Sequence, residues 1–469
     1  MSIVALSFCF TNLLQLRFVL AKFWKVCMLQ ITNLRYSTAI IFALHLLFAV
    51  AAIAQDNTAP DFASLADKCD VHLRKSIVDF YLPHCVDQTN GGYLETIDAD
   101  GKFCESEYKF LTLQTRQMWF FCRLAQNGIE KEKALAAAKS GYDFLQTHFL
   151  DKENGGYFSR VKMDGGEFDT RKHIYLNAFA MYSLAAYYNA TGDGEALAAA
   201  LNLFETFEQK AYDKENGGYK EFFYADWKMI TDPKEPKFVG EVGTKTYNSH
   251  LHILEAFTEL FRAAPSDLLK DRIAELIVIN TATVKHPDRA CNIDGWTNDW
   301  KMLIRKSNLR ASFGHDVECA WLVFDAARTI GWSIKPLENW AVATVDHSIK
   351  FGFDKAHGGF YYTGPLGRVS DDKKKEWWTQ AEALVSMLEM YKLTGNKRYL
   401  NVFSRTFSFV EQHQIVPADQ GGGWWATRNA DGSPHANTSR TSTWHGAYHN
   451  GRAMLRCQKL LLELDEVQK

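Results

Sequence analysis

A short glycine-rich phrase recurs along the chain at long, regular intervals, and this repeat constrains the fold more than any other feature. The phrase reads Asn-Gly-Gly-Tyr or a close variant, and an acidic residue stands a few positions before each copy. The copies begin at Asn90, Asn154, Asn216, His357 and Gly421. A fixed period of roughly 60–70 residues indicates a repeated supersecondary unit. Because one interval is double, we expect a sixth, degenerate copy within it, near residues 286–290.

Each repeat reads as a turn, a short strand and two helices. The glycine pair predicts the turn, and the aromatic residue after it begins the strand. Residues 134–149 and 197–212 show helical periodicity with one apolar face, whereas 174–188 and 251–262 are apolar most of the way round, as buried helices are. Six such helix pairs predict an all-α fold, an (α/α)6 barrel with short β-hairpins at one mouth. An open solenoid of the same repeats is the alternative.

The polar residues of each repeat cluster where its inner helix is expected to begin. In the fourth repeat, His315, Glu318 and Trp321 recur every three residues and share one stripe of a helix. An acid/base, a group that orients it and an indole that stacks on a sugar ring would suit a carbohydrate site. A lone buried histidine among core residues is the structural alternative, but the comparable clusters in the other repeats favour a shared pocket.

Helical spacing selects the side chains within these clusters. Asn248 and His252 are four residues apart and share a face, whereas His250 between them points away and is expected to bond locally. Trp378 and Glu382 share a face in the same way. The predicted pocket residues are Arg116, Tyr175, Asn248, His252, His315, Glu318, Trp378, Glu382, Trp444 and His449.

Imidazoles dominate this pocket, and they favour proton transfer. Two histidines on different helices could remove and return a proton at a carbon next to a carbonyl, because imidazole titrates near neutral pH. Arg116 could stabilise the negative oxygen that develops. We expect His173 and His445 at the rim or behind the pocket residues.

Other interpretations of the same residues stay open. Glu318 and Glu382 could be the two carboxyl groups of an (α/α)6 glycoside hydrolase or lyase. A non-catalytic sugar-binding protein could use a similar aromatic pocket. A zinc site of His252, His315 and His449 has no supporting ligand spacing on a shared helix face, so we predict no metal.

The beginning of the chain reads as a targeting segment. From Ser37 to Gln55 no residue is charged, and residues 39–50 are apolar except for one histidine. We predict a signal peptide over residues 1–54, with Met28 the true start, residues 1–27 an over-extended start and cleavage after Ala54. The remainder, residues 55–469, would be a single secreted or periplasmic domain. The alternative is an uncleaved N-terminal membrane anchor.

Composition excludes some partners. The net charge is −2, so no basic excess argues for nucleic acid or an anionic membrane surface. The cysteines after the predicted cleavage point are odd in number and form no CxxC pattern, so their pairing stays open and we expect mostly buried side chains. We expect a monomer or weak dimer, with no membrane contact after cleavage.

Six segments carry a resemblance to a known family. They read TLQTRQMW, DTRKHIYLNAFAMYSL, YNSHLHILEAF, SFGHDVECAW, EWWTQAEAL and WHGAYHNGRA. The chain resembles the N-acylglucosamine 2-epimerase superfamily, and within it most closely the cellobiose 2-epimerases. The resemblance implies an (α/α)6 barrel and cofactor-free epimerisation at C2 of the reducing-end sugar of a β-1,4-linked disaccharide, with interconversion of glucose and mannose.

The resemblance also implies roles for the pocket residues. His315 and His449 would be the acid/base pair that works through an enediol(ate), Arg116 would stabilise its oxygens, and His252 would assist ring opening. The remaining residues would bind the substrate: Tyr175, Asn248, Glu318, Trp321, Trp378, Glu382 and Trp444. The two glutamates are also expected to orient the histidines.

Some positions depart from the family pattern. They are residues 232–246, before the third cluster, together with Cys319 and His445. These departures bear on the second sugar, so an epimerase of mannose or N-acylglucosamine, or an aldose–ketose isomerase, is the close alternative.

Overall fold

A computed structural model describes residues 60–235, 237–305, 309–436 and 438–469. The predicted signal peptide and the first five residues of the predicted mature chain lie outside these ranges. Among the described residues, no helix is long and apolar enough to cross a membrane. The described cysteines are free thiols, and all except Cys104 are buried, as the sequence predicted.

Helices make up most of the described chain. They are α1 (Phe62–His72), α2 (Asp79–His84), α3 (Leu111–Gln126), α4 (Lys131–Phe144), α5 (Ile174–Thr191), α6 (Gly194–Thr206), α7 (Tyr247–Ala263), α8 (Asp267–Val278), α9 (Phe313–Thr329), α10 (Glu338–Gly352), α11 (Trp377–Thr394), α12 (Lys397–Phe409) and α13 (Tyr448–Gln468). A π-helical turn, Leu73–Val78, joins α1 to α2. Further π-helical turns extend the outer helices α4, α6, α8 and α12: Leu145–Phe149, Phe207–Ala211, Ile279–Thr283 and Val410–Gln414.

Six of these helices are central and the others pack outside them. The central helices are α3, α5, α7, α9, α11 and α13; each packs against the next, and α13 packs against α3. Each central helix also packs on an outer one, in the pairs α13 with α1, α3 with α4, α5 with α6, α7 with α8, α9 with α10, and α11 with α12. The sequence accounts for the division: α5 is buried from Ile174 to Tyr187, because it is apolar most of the way round, whereas α6 buries only one face.

Short strands join neighbouring repeats. They are β1 (Thr96–Ile97), β2 (Phe103–Cys104), β3 (Tyr108–Phe110), β4 (Arg160–Lys162), β5 (Glu167–Asp169), β6 (Lys172–His173), β7 (Phe222–Phe223), β8 (Thr244–Thr246), β9 (Gly295–Thr297), β10 (Arg310–Ser312), β11 (Thr363–Pro365), β12 (Lys375–Glu376) and β13 (Thr427–Arg428). All pairings are antiparallel: β1–β2, β3–β4–β5, β6–β7, β8–β9, β10–β11 and β12–β13.

Short hairpins are present, as the sequence predicted, and strand pairs between repeats add to them. β1–β2 and β4–β5 pair within a repeat, and β7, β9 and β13 each make a single bridge within their own repeats. In addition, the strand before five of the central helices pairs with a strand of the following repeat. An isolated bridge between Ile97 and Thr441 connects the last repeat to the first in the same way. The sequence pattern predicts where a short strand lies. It does not predict which strand it pairs with, because that strand belongs to another part of the chain.

Four of the glycine turns are held by an aspartate and a buried lysine. In the third repeat, the backbone of Asp213 exchanges hydrogen bonds of 2.8 and 2.7 Å with Gly218 and Gly217. Both glycines have positive φ, and a Cβ on Gly218 would lie 2.7 Å from His250 Nε2. Lys245, two residues before α7, places its Nζ 2.8 Å from Asp213 Oδ2. The corresponding pairs elsewhere are Lys109–Asp87, Lys172–Asp151 and Lys375–Asp354.

A polar side chain in the first turn of five of the central helices clamps the residue that follows the turn. His250 accepts a hydrogen bond from the backbone N–H of Tyr219 at 2.9 Å, which confirms that it bonds locally. Equivalent acceptors elsewhere are Gln114, Asn177, Asp316 and Gln380. The degenerate repeat is also where the sequence placed it: Lys285 bridges Asn292, and Asn292 stands where the other turns have an aromatic residue.

We predict that Asp213→Ala lowers the free energy of unfolding by about 3–5 kcal/mol, because it leaves the buried Lys245 ammonium without its carboxylate. Chemical denaturation at neutral pH measures the change. The exposed neighbour Glu215→Ala is the control and should stay within about 0.5 kcal/mol of the parent. A loss for Asp213→Ala no larger than the control's would contradict the role given to the pair.

Candidate active site

A cavity of about 420 Å³ opens among the first turns of the central helices. Its lining residues are Arg116, Tyr175, Phe238, Val239, Gly240, Asn248, His252, Asp294, His315, Tyr362, Glu376, Trp377, Trp378, Trp444 and His449. Every central helix contributes at least one of them, as the sequence predicted for a shared pocket. A larger groove of about 800 Å³ lies outside, between α2 and α4, and its lining contains no histidine or arginine.

Two of the imidazoles in the cavity are backed by carboxylates. His252 Nδ1 lies 2.9 Å from Glu255 Oε2, and His449 Nδ1 lies 2.7 Å from Glu382 Oε1. A carboxylate only accepts hydrogen bonds, so each Nδ1 carries a proton and each Nε2 keeps its lone pair. Neither Nε2 atom has a partner among the described residues, so both can serve as bases toward a ligand.

The third imidazole has a different partner. His315 Nδ1 lies 2.8 Å from the hydroxyl of Ser312, the residue that caps the N-terminus of α9. Its ring centroid lies 4.8 Å from that of Trp378 and 6.5 Å from that of His252. The Glu318 carboxylate lies within 4.8 Å of His315 and 3.9 Å from His449 Nδ1, so it is close to both imidazoles.

All three imidazoles are held neutral. Burial lowers the pKa of His315 to about 3, and the neighbouring His252 and Arg116 add to the effect, since each would repel a second positive charge. Burial, followed by Arg116 and Arg452, lowers the pKa of His449 well below its ordinary value. Burial also lowers the pKa of His252, although Glu255 opposes it. At neutral pH each ring can therefore accept a proton.

Arg116 supplies a positive charge without a counterion. Its guanidinium donates to the Tyr175 hydroxyl at 2.7 Å and to the Trp444 carbonyl at 3.4 Å. Aromatic rings surround it, with Phe179 at 4.2 Å and Tyr448 at 4.9 Å. No carboxylate pairs with it within the described parts of the chain, so it is free to bind a negative oxygen.

Three of the predicted substrate-binding residues, Glu318, Trp321 and Glu382, are buried and lie outside the lining of the cavity. Trp321 donates to Glu382 at 3.0 Å. Six residues of helix carry Trp321 about 9 Å deeper than His315, so a shared stripe does not mean a shared depth. The expectation that a glutamate orients a histidine does match the contact between Glu382 and His449.

Arg452, which the sequence analysis did not single out, holds these carboxylates together. It lies 2.6 Å from Glu318 and 2.8 Å from Glu382, and it also pairs with Glu255. It follows His449 by three residues on α13, and that spacing was the available signal. Burial, first, and Glu382, second, raise the pKa of Glu318 well above its ordinary range.

Two sets of side chains bring potential metal ligands within 4.8 Å of one another. They are His252, His315 and Glu318, and Glu318, Glu382 and His449. Arg452 already bonds to the carboxylates in both sets, and its guanidinium supplies the positive charge that they require. We therefore assign these carboxylates to Arg452.

Most of the lining residues that the sequence analysis missed come from loops and strands. Phe238 to Gly240 belong to the atypical segment 232–246, where Arg160 and Arg171 each lie 5.2 Å from the Phe238 ring. Asp294, Tyr362 and Glu376 also lie before helices, whereas Trp377 is the first residue of α11. Helical spacing, the criterion used to choose pocket residues, gives no information about such segments.

The two histidines expected at the rim or behind the pocket both lie behind it. His173 accepts from the backbone N–H of Tyr175 at 3.1 Å, and its Nε2 contacts the Val239 carbonyl at 3.2 Å. His445 is fully buried, and its ring centroid lies 4.1 Å from that of Trp377. Each supports a residue of the lining.

Comparison with known proteins gives a consistent result. Residues 92–450 match the family model of N-acylglucosamine 2-epimerase (GlcNAc 2-epimerase). The cellobiose 2-epimerase of Dictyoglomus turgidum is 32% identical over 409 residues, which cover 85% of this chain and 99% of that protein. The cellobiose 2-epimerase of Bacteroides fragilis is 30% identical over 405 residues, covering 85% and 99%. The solved structure of cellobiose 2-epimerase from Spirochaeta thermophila superposes with a TM-score of 0.78 at 28% identity, covering 88% of this chain and 100% of that one.

We predict that Arg452→Met lowers the free energy of unfolding by about 3–5 kcal/mol at neutral pH, because it leaves buried carboxylates without a cation. Burial raises the pKa of Glu255, but Arg452 and His252 outweigh it and bring the value to about 2 from 4.5. A depressed pKa stabilises the fold above the unfolded value and loses that effect as pH falls through the folded one. The deficit of the variant should therefore shrink between pH 4.5 and 2.

Denaturant titrations at several pH values measure this deficit. Arg456→Met is the matched control on the same helix, since its partly exposed pairs with Asp325 and Glu389 should contribute about 1 kcal/mol or less. Equal losses in the two variants, or a deficit that grows in acid, would disprove the assignment.

Proposed function

The chain belongs to the N-acylglucosamine 2-epimerase family, and on that premise we propose that it epimerises C2 of the reducing-end sugar of a β-1,4-linked disaccharide of the cellobiose type. Glucose and mannose units would be interconverted at that end. One observation carries the proposal: a single cavity contains two neutral imidazoles, His315 and His449, beside the uncompensated charge of Arg116. Proton transfer next to a carbonyl needs that combination.

The reaction follows from these groups. In the opened sugar, a neutral imidazole takes the hydrogen of C2 as a proton, and the electron pair moves to the C1 oxygen to give an enediolate. Arg116 stabilises that oxygen. The other imidazole takes a proton from solvent and, in this protonated form, delivers it to the opposite face of C2, while the first imidazole releases the C2 proton to solvent. The negative charge of the enediolate favours that protonated form, because it opposes the effects that lower the pKa of both rings.

The supporting residues fit this scheme. Tyr175 and Asn248 line the cavity beside His252, and Tyr175 is already bonded to Arg116 at 2.7 Å. We assign them to positioning the sugar and His252 to its ring opening. Trp378 and Trp444 present aromatic surfaces on which sugar rings can stack.

We propose that the whole assembly is a closed (α/α)6 barrel with the strand pairs at the mouth that holds the site. The cyclic order of the central helices supports closure, as does the bridge between Ile97 and Thr441. An open solenoid would leave its first and last repeats without such contacts.

The geometry disfavours the hydrolase alternative. Glu318 and Glu382 both bond to one nitrogen of Arg452, and each offers an oxygen within 4.8 Å of the other's. An inverting glycosidase separates its carboxyl groups by roughly 6.5–9.5 Å, and a retaining one by about 5–5.5 Å, on the two sides of an accessible glycosidic bond. These two are buried below the cavity.

The decisive experiment is proton NMR of sugars incubated with the enzyme in D₂O. Cellobiose, mannobiose, mannose and N-acetylglucosamine should be tested separately, because the atypical segment 232–246 borders the cavity. We expect cellobiose to yield its C2 epimer, with deuterium at C2. Formation of a ketose would indicate an isomerase instead, and deuterium without epimer or ketose from any sugar would rule out epimerisation.

We predict that His315→Asn and His449→Asn each lower kcat/KM for epimerisation by about 10²- to 10⁴-fold, as expected when a general acid/base is lost. Because each imidazole serves one face of C2, each variant should still exchange the C2 hydrogen of one epimer only, and the two variants should retain opposite epimers. The exposed His84→Asn should behave as the parent. Full turnover in either active-site variant would refute the two-histidine scheme.

We also propose that the protein is exported, with residues 1–54 removed; a monomer or weak dimer remains the prediction for the mature chain. The uncharged segment from Ser37 to Gln55 supports export. The full-length chain should yield a soluble periplasmic or secreted product that begins at Gln55. Membrane-bound protein that retains the segment would indicate the anchor instead.

A further inference from the structure

Ser312 distinguishes His315 from the other imidazoles of the cavity. We propose that Ser312 is a positioning residue that lets neutral His315 present an N–H group to the substrate, a form denied to His252 and His449. The proposal rests on the proposed function, because it assigns a role within the same site. In this form, neutral His315 acts in the active site as a hydrogen-bond donor to a sugar oxygen, in addition to its role as an acid/base.

The local geometry fixes the hydrogen bonds of Ser312. As the N-cap of α9, its Oγ accepts from the backbone N–H of His315 at 3.3 Å. The same oxygen lies 2.8 Å from His315 Nδ1. Because a hydroxyl oxygen that accepts at the cap still has its proton to give, Ser312 can donate to Nδ1. The ring proton then sits on Nε2, which faces the cavity.

Carboxylates cannot do this for the other two rings. Glu255 and Glu382 accept from Nδ1 of His252 and His449, at 2.9 and 2.7 Å. Glu382 also receives Arg452 and Trp321, so three donors converge on it. Those two rings are thereby held with Nδ1 protonated and with a lone pair on Nε2.

The proton count is consistent through a turnover. When His315 acts as a base, Nδ1 carries the proton, Nε2 takes the C2 proton, and the imidazolium donates from Nδ1 to Ser312. When it acts as an acid, Nε2 gives its proton to C2 and Nδ1 keeps the other. In both forms Ser312 accepts from Nδ1. A hydroxyl can hydrogen-bond to Nδ1 in both neutral tautomers and in the imidazolium, because it can either donate or accept. A carboxylate can do so only in the two forms in which Nδ1 carries a proton.

The direct test is the tautomer of each ring, observed in two-bond ¹H–¹⁵N correlation spectra of the protein with ¹⁵N-labelled histidine. Loss of a signal in His315→Asn, His252→Asn or His449→Asn assigns each ring. We expect Nε2–H at His315 and Nδ1–H at the other two. Ser312→Asp, which keeps a cap acceptor but cannot donate, should move His315 to Nδ1–H.

Kinetics give an independent readout. Ser312→Ala removes the partner that orients the ring, so kcat should fall by about 10- to 100-fold, and Ser312→Thr, which keeps a hydroxyl, should restore it. Ser312→Asp should raise KM more than it lowers kcat, because it removes the donor and keeps the base. Ser266→Ala removes a cap hydrogen bond from α8, outside the cavity, and should leave kcat and KM unchanged.

The outcomes separate this inference from the proposed function. A wild-type His315 with Nδ1–H, or a tautomer that is the same in Ser312→Asp, overturns the inference even if epimerisation is confirmed. If the wild-type enzyme epimerises no sugar, the proposed function fails while the spectra still decide the tautomer. A folded Ser312→Ala with wild-type kcat also overturns the inference.

Discussion

In four of the repeats, a link between the glycine turn and the start of the central helix is the interaction on which the cavity depends. A lysine two residues before the helix reaches back to the aspartate of the turn, as Lys245 does to Asp213, and a clamp such as His250 holds the following residue. A buried ion pair adds little net stability over apolar side chains of the same volume. Its contribution here is position, because it fixes where a helix begins. The cavity is lined by side chains of those first turns, so fixing the beginnings of the helices also fixes the distances between the functional groups.

The repeat made much of this arrangement predictable. Residues one repeat apart in the sequence occupy equivalent positions in the structure. When the repeats are arranged in a ring, side chains at equivalent positions face the same centre. That is why Arg116, from the first repeat, and His449, from the last, could be assigned to one pocket without any knowledge of their contacts. Helical spacing then separated His252, which faces the cavity, from His250, which faces its own turn.

Depth and loop structure could not be predicted in this way. His315, Glu318 and Trp321 do lie on one face of the helix, as predicted. That face extends along the helix axis, however, and only His315 reaches the cavity. Tyr362 and Asp294 enter from segments whose course is set by pairing with other repeats. Arg452 was missed because its importance lies in the number of buried carboxylates around it, and that number is visible only when three helices are brought together.

Depth also explains how this arrangement selects among the chemistries available to a carbohydrate site. A carboxyl group in contact with a sugar can protonate or attack at a glycosidic bond. Here Glu382 lies beneath the imidazole of His449 and acts on that ring, setting the nitrogen that carries the proton and hence the atom that faces the substrate. In the proposed function, the group that meets the sugar is a neutral nitrogen base, which is suited to removing a weakly acidic hydrogen and ill suited to stabilising an oxocarbenium ion by charge. On that proposal, placing the acids one layer below the histidines directs the site toward C2 and away from the glycosidic bond.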